Sequence, residues 1–417
     1  MGIMPYLTFG MPLLLSALGL FLSLWILVPA PLRILLPLGV GAPEVSPWLC
    51  AGNGLALAIA LWARVLQSST ASRIIHGGHW VPLVGSLLGL GLSLVPLSQV
   101  GAANAQMARA MTQALGADYL TPIPAAVQAT MRPQPFVWVD SFRGLTLAPG
   151  RIDRGIVFAR PQGIPLALNL YRPLAPGTYP AIVMIYGGAW QSGSPESNEA
   201  FSRYMATQGY AVIAIAYRHA PQFRYPIQQQ DVQSALAYIQ THGAAWGVDT
   251  SRIALMGRSA GAQLAAIAAY APDSPIPNTP SVRAVVNYYG PVDLTAGYAD
   301  PPFPDPIDTR GVLETFLGGS PQAVPDLYHQ ASPATYVRSN LPPTLLVYAG
   351  RDHVVQAKFG RQLHRQLQAA GNQAIFLEIP WAEHAFDAVF NGVSNQLALY
   401  YTERFLAWAL YAETTGE

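Results

Sequence analysis

Cysteine is nearly absent from this chain: its 417 residues hold one, Cys50, inside an apolar run. That excludes intramolecular disulfides and cysteine-rich metal sites. Lysine also occurs once, at Lys358, against 22 arginines, which reads as compositional bias rather than function. Charge as a whole is scarce. Asp, Glu, Lys and Arg make up 11% of the sequence, against roughly 25% in an ordinary soluble domain, and the mean hydropathy is +0.27. A net charge of +1, with no basic cluster interleaved with aromatics, argues against nucleic acid as a partner. No glycine-rich loop runs into Gly-Lys-Ser/Thr, so a phosphate-cradling loop is also excluded.

The shortage of charge is uneven. Residues 1–120 carry only Arg33, Glu44, Arg64, Arg73, Arg109 and Asp118, leaving 39 of the 45 charges to the rest. Three apolar stretches lie there, at 7–28, 48–66 and 80–100. Each approaches the ~20 residues a helix needs to cross ~30 Å of hydrocarbon. Trp25, Trp48, Trp62 and Trp80 lie at or near segment ends, where indoles favour the membrane interface. Three transmembrane helices are therefore expected, the alternative being a buried soluble bundle. No basic residue precedes the first stretch, which disfavours a cleaved signal there. Small residues from Gly101 to Gln106 leave processing before Gln106 as an alternative. Arg64 and Arg73 on one side nearly balance Arg33 and Arg109 on the other, so the expected extracytoplasmic placement of the rest rests on a slight tilt. The expected organisation is a transmembrane region at 1–103, an amphipathic and proline-rich linker or docking segment at 104–150, and a catalytic domain at 151–417.

From Arg151 the pattern becomes short β-branched runs alternating with helical ones. Strands are expected at 155–159, 166–171, 181–186, 211–216, 252–256, 284–288, 344–348 and 374–379, and helices at 199–208, 227–246, 260–271, 357–370 and 395–411. Nearly unbroken apolar strands such as AIVMIY suit a mostly parallel sheet covered on both faces, an α/β class.

Within this pattern, ALMGRSAGAQLAA places Ser259 between a strand and a helix, with Gly257 and Gly261 on either side. A nucleophile raised on a sharp strand-to-helix turn needs that setting, because side chains two residues before and after it would crowd the turn. A serine hydroxyl also needs a histidine to accept its proton and a carboxylate to fix that histidine. The expected chain order is serine, acid after a later strand, then histidine. Asp352 follows the strand at 344–348, 93 residues after Ser259, and His384 follows the last strand, 32 residues further on. Glu383 and Asp387 are fallback acids, disfavoured because they adjoin the histidine; His353 is read as a loop support. For the oxyanion, the YGGAW loop after the strand at 181–186 offers the backbone N–H groups of Gly188 and Ala189, joined by that of Ala260.

On the blocks YGGAW, AYRHAPQFRYPIQQQD, DTSRIALMGRSAGAQLA and SPATYV through PPTLLVYAGRDHVV to AEHAF, the chain from about residue 150 resembles an α/β-hydrolase of the hormone-sensitive-lipase-like esterase group. YGGAW with MGRSAGA is similar also to membrane-bound isoprenylcysteine methylesterases. The resemblance implies a serine esterase without cofactor or metal, acting on a small or lipid-like ester, with Asp231 and Asp293 structural. Tyr186 stands where the family loop usually has histidine, Ala189 where it has a third glycine, and Ala262 where a glycine is frequent. A proline-rich insertion at about 291–343 is expected to form a lid or rim, with Phe303, Phe316 and Tyr328 offering an apolar wall, or else a surface loop. The same residues would serve an amide-bond hydrolase or an acyltransferase; a non-catalytic binding protein would be expected to lack one of the three.

Overall fold

A computed structural model describes residues 10–65, 80–147, 149–271 and 280–412. The start of the first apolar stretch, the end of the second, Arg73, His76 and His79 lie outside the described residues. Four helices open the described chain: α1 (Met11–Leu24), α2 (Leu36–Glu44), α3 (Ser46–Val65) and α4 (Trp80–Leu115). Two of them, α3 and α4, are long and apolar enough to cross a membrane. The 14 residues of α1 rise about 21 Å, short of the ~30 Å of a bilayer core.

Helices α1, α3 and α4 pack on one another with polarity reversed relative to a soluble bundle. Ser16, Ser23, Asn53, Ser86 and Ser93 are buried between them. Asn53 Nδ2 donates to Ser23 Oγ at 2.9 Å and to Ser93 Oγ at 3.2 Å. Leu14, Leu18, Phe21, Leu55, Leu61, Trp62, Leu87 and Leu88 face outward. A Cβ on Gly19 or Gly89 would lie 2.3 Å from Asn53 Oδ1, so both glycines exist for close helix approach.

Helix α4 does not end near Val100. It runs on to Leu115, and Ala103, Met107 and Met111 enter the core beneath the sheet. The boundary expected at 103/104 thus falls inside one helix. The following segment, with the short helices α5 (Ala125–Gln128) and α6 (Trp138–Arg143), is docked. Arg132 donates from its backbone N–H to Glu403 at 2.7 Å and from Nη2 to Gln396 at 3.0 Å and Asp140 at 3.1 Å.

Eight strands form one sheet: β1 (Arg151–Ala159), β2 (Leu166–Arg172), β3 (Tyr179–Ile185), β4 (Ala211–Ile215), β5 (Val248–Arg258), β6 (Val282–Tyr288), β7 (Thr344–Ala349) and β8 (Ala374–Ile379). Their spatial order is β1-β2-β4-β3-β5-β6-β7-β8, with β2 antiparallel to its neighbours and β4 to β8 parallel. Helices α7 (Glu199–Thr207), α8 (Ile227–His242), α9 (Ala260–Tyr270), α10 (Leu294–Ala299), α11 (Thr309–Leu317), α12 (Pro325–Gln330), α13 (Ala357–Ala369) and α14 (Val393–Tyr411) complete the chain. Apolar layers cover both faces, which is why β3 and β4 carry unbroken apolar runs rather than alternation.

The connection between α1 and α3 lies on this sheet domain. Helix α2 packs on α14 and on the one-turn 3-10 helix Phe386–Ala388. Its Glu44 is buried and accepts the Ser394 N–H at 2.8 Å. Burial, reinforced by Asp387 and only partly offset by hydrogen bonds from Ser394, raises its carboxyl to about 8. The unfolded chain ionises near 4.5, so the stability held by the protonated carboxyl is full below 4.5 and is lost as pH rises through 8, on the order of 1 kcal/mol per pH unit. Glu44→Gln is expected to flatten this dependence, so that thermal unfolding in micelles separates variant from parent increasingly between those limits. Parallel curves would exclude a buried neutral Glu44.

Candidate active site

Strand β5 enters the site and α9 leaves it, and Ser259 forms the corner with φ +51° and ψ −124°. A non-glycine residue at positive φ is strained. The strain is held by Ser259 N–H donating to Tyr288 O at 2.9 Å and by close packing around the corner. A Cβ on Gly257 would lie 2.2 Å from Gly261 O, and one on Gly261 would lie 2.2 and 2.3 Å from the carbonyl oxygens of Ile185 and Tyr186. The first glycine therefore clears the turn itself, and the second lets the helix approach the end of β3.

Asp352 follows β7, His384 follows β8, and both meet Ser259. His384 Nε2 lies 3.0 Å from Ser259 Oγ, and Nδ1 lies 2.8 Å from Asp352 Oδ2. A carboxylate only accepts, so Nδ1 carries the proton and Nε2 is free to accept one. The other Asp352 oxygen accepts the N–H groups of Val354 at 2.8 Å and Val355 at 2.6 Å. Burial opposes a charge on His384, yet the carboxylates of Asp352, Glu383 and Asp387 outweigh it and hold its pKa above the ordinary histidine value. Neither fallback acid reaches the ring nitrogens. Glu383 is taken by His353 Nδ1 and N–H, both at 2.6 Å, and by the His384 N–H. Asp387 pairs with the buried Arg258 and accepts from Tyr289. Asp231 pairs with Arg218, and Asp293 caps α10.

The loop after β3 turns back sharply, with positive φ at Gly188, Ala189 and Trp190. Among the described residues, no hydrogen bond engages the N–H groups of Gly188, Ala189 or Ala260. Tyr186 stacks on Tyr217 with centroids 4.5 Å apart, and its hydroxyl meets His219 Nε2 at 2.9 Å. His219 and Tyr217 thus brace the loop, a role that no local sequence signal marks. Trp190 is fixed by donating to Gln263 Oε1 at 2.9 Å and by stacking on Phe316 at 4.0 Å.

Two cavities open at Ser259. One is apolar and roofed by the insertion, with Trp190, Leu294, Gly297, Leu313, Val355 and Phe359 among its walls. The wall residues expected from sequence are not these: Phe316 and Tyr328 are fully buried in the packing behind Trp190 and the insertion, and Phe303 is 95% exposed. The other cavity reaches His384 and the loop at Gly188, and includes Arg33. Among the described residues, no three His, Cys, Asp or Glu side chains converge to hold a metal ion.

The BD-FAE family model matches residues 168–367. Probable carboxylic ester hydrolase LipM of Mycobacterium tuberculosis is 29% identical over 383 residues, 86% of this chain and 84% of LipM. That share exceeds the sheet domain, so the match runs into the amino-terminal helices. Esterase LipC of the same organism is 33% identical over 53% of this chain and 57% of its own. Among solved structures, the thermophilic esterase Est2 of Thermogutta terrifontis superposes with a TM-score of 0.52 at 24% identity, covering 65% of this chain and 96% of that one.

Proposed function

Given that the chain is a carboxylic ester hydrolase of the α/β-hydrolase fold, we propose that it is anchored in a membrane and cleaves its ester through an acyl-enzyme on Ser259. The observation that carries this is the continuous line from Asp352 through His384 to Ser259, with three uncommitted backbone N–H groups beside it. Ser259 Oγ attacks the ester carbonyl as His384 Nε2 takes its proton, and Asp352 holds the resulting imidazolium. The N–H groups of Gly188, Ala189 and Ala260 receive the oxyanion. His384 returns the proton to the leaving alcohol, and water activated by the same ring then releases the acid.

The anchor reading rests on the reversed polarity of the amino-terminal helices, serines and asparagine inside and large apolar side chains outside. On this reading residues 1–103 are the membrane part, with α1 as a third, short span, 104–150 the docked connector into which α4 continues, and 151–417 the catalytic part with its lid at 291–343. We infer an extracytoplasmic catalytic part from the slight tilt in the arginines that flank the apolar stretches.

The acyl group occupies the apolar cavity under the insertion. Gly297 lines it, and a Cβ there meets nothing within 4 Å. Gly297→Leu is expected to fill the cavity without distorting α10. The expected result is a shortened range of accepted acyl chains, at least tenfold slower on octanoyl than acetyl esters relative to the parent. An unchanged chain-length profile would place the acyl group elsewhere. Activity on amides or transfer to added alcohols in the same panel would favour the alternative reactions of the same residues.

A further inference from the structure

The chain's first 63 residues contain two charges, Arg33 and Glu44, and both are turned toward the catalytic part. Glu44 is buried against α14. Arg33 lines the cavity that holds Ser259, His384 and the loop at Gly188, with Leu36 beside it. A mere tether has no reason to place a cation there. The placement is also built. The Arg351 guanidinium, next to Asp352, donates to the carbonyls of Ile26 and Leu27 at the end of α1, and α2 rests on the turn that follows His384. The connection 26–44 is thereby pinned at the acid loop and at the histidine loop, and Arg33 sits between the two pins.

Which part of a substrate meets Arg33 follows from proton transfer. His384 must protonate the leaving oxygen, so the alcohol lies on the His384 side of Ser259. The cavity with Arg33 is lined by His384, whereas the apolar cavity is not. Charge divides the two in the same sense. Asp293 and Asp300 both line the apolar cavity; Lys358 neutralises Asp300, and among the described residues the Asp293 carboxylate has no cation beside it to offset an anionic acyl group. In the other, Arg258 is neutralised by Asp387, while among the described residues Arg33 has no ion-pair or hydrogen-bond partner. An exposed guanidinium with all its donors open matches a phosphate or carboxylate.

We propose that this cavity holds the leaving alcohol and that Arg33 binds an anionic group, a phosphate or carboxylate, carried on that alcohol. The proposal rests on the catalytic reading of Ser259 and His384. It makes Arg33 a specificity residue contributed by the membrane part, so the amino-terminal helices complete the substrate site as well as holding it at the bilayer.

The test uses the full chain in micelles and two matched ester pairs: butyryl glycerophosphate against monobutyrylglycerol, both soluble, and oleoyl glycerophosphate against monooleoylglycerol, both in mixed micelles. The parent is expected to prefer the anionic member in kcat/KM. Arg33→Gln is expected to cut that preference by about tenfold, mainly through KM, and Arg33→Glu to cut it further. Arg160→Gln, the same charge change at an exposed position after β1, is expected to keep it. Preference in both pairs marks recognition of the anion wherever it is met, and preference in the oleoyl pair alone marks a substrate drawn from the bilayer; either supports the site. A parent with no preference, or an Arg33→Gln variant whose ratio is unchanged even if both rates fall, overturns it. Ester cleavage that depends on Ser259 but ignores charge overturns only the Arg33 site, whereas cleavage surviving Ser259→Ala overturns the catalytic reading beneath it.

Discussion

Ser259→Ala is expected to lower kcat/KM for a short-chain ester by a thousandfold or more while leaving the melting temperature within a degree or two. The two halves of this expectation have separate causes. Among the described residues, the Ser259 side chain makes a single hydrogen bond, to His384, and the group is only half-buried. Removing Oγ leaves Cβ, the backbone bond to Tyr288 and the positive φ, which Ala adopts with the same strain as Ser. The fold loses little, but the reaction loses its nucleophile. What remains is the set of open N–H groups, which still polarise a bound carbonyl toward water, so the residual rate should exceed the uncatalysed one. An active-site serine phosphonate should modify the folded parent at Ser259 and leave the variant untouched. Full activity in the variant would remove Ser259 from the mechanism, and a parent that takes no adduct would favour a binding protein on a hydrolase fold.

What was legible in the sequence is what local chemistry dictates. All eight strands follow from short β-branched or apolar runs, and the corner at Ser259 follows from two glycines whose absent side chains prove to be sterically required. Asp352 and His384 could be picked out because the fold dictates their order in the chain. What stayed hidden depends on partners far away in sequence. Hydropathy falls after Val100, but α4 continues, because the change there is from an apolar surround to a mixed core and not from helix to loop. Phe316 looked like a cavity wall and is instead consumed in stacking on Trp190. Tyr186, in the place of a family histidine, is supported by His219, 33 residues on and just after the neighbouring strand. Arg33 carries no motif at all; only the docking of α2, a short segment with two prolines and no clear amphipathic period, brings it to the catalytic cavity.

Asp352→Asn should come close to Ser259→Ala in effect, about a thousandfold or more in kcat, although it changes a single oxygen to nitrogen. The surroundings decide which way the new amide points. Val354 and Val355 both present N–H groups to Asp352 Oδ1, and an NH2 in that position would face two donors. The amide oxygen must therefore stay there, and the NH2 is forced toward His384 Nδ1. Nδ1 then accepts, the ring proton moves to Nε2, and Nε2 can no longer take the proton of Ser259. Glu383 offers no rescue, since its oxygens are held by His353 and by the His384 backbone. The variant also changes the pH profile in a known direction. In the parent, burial disfavours imidazolium, but Asp352, Glu383 and Asp387 hold the His384 pKa above 6.5, so activity should rise with pH through a limb above that value. Loss of the Asp352 charge lets burial prevail, and the limb should move to lower pH in the residual activity. Glu383→Gln removes a more distant charge without touching the tautomer, so it should shift the limb slightly in the same direction and reduce kcat less than tenfold. If Glu383→Gln proved as damaging as Asp352→Asn, the acid would have to be reassigned to Glu383.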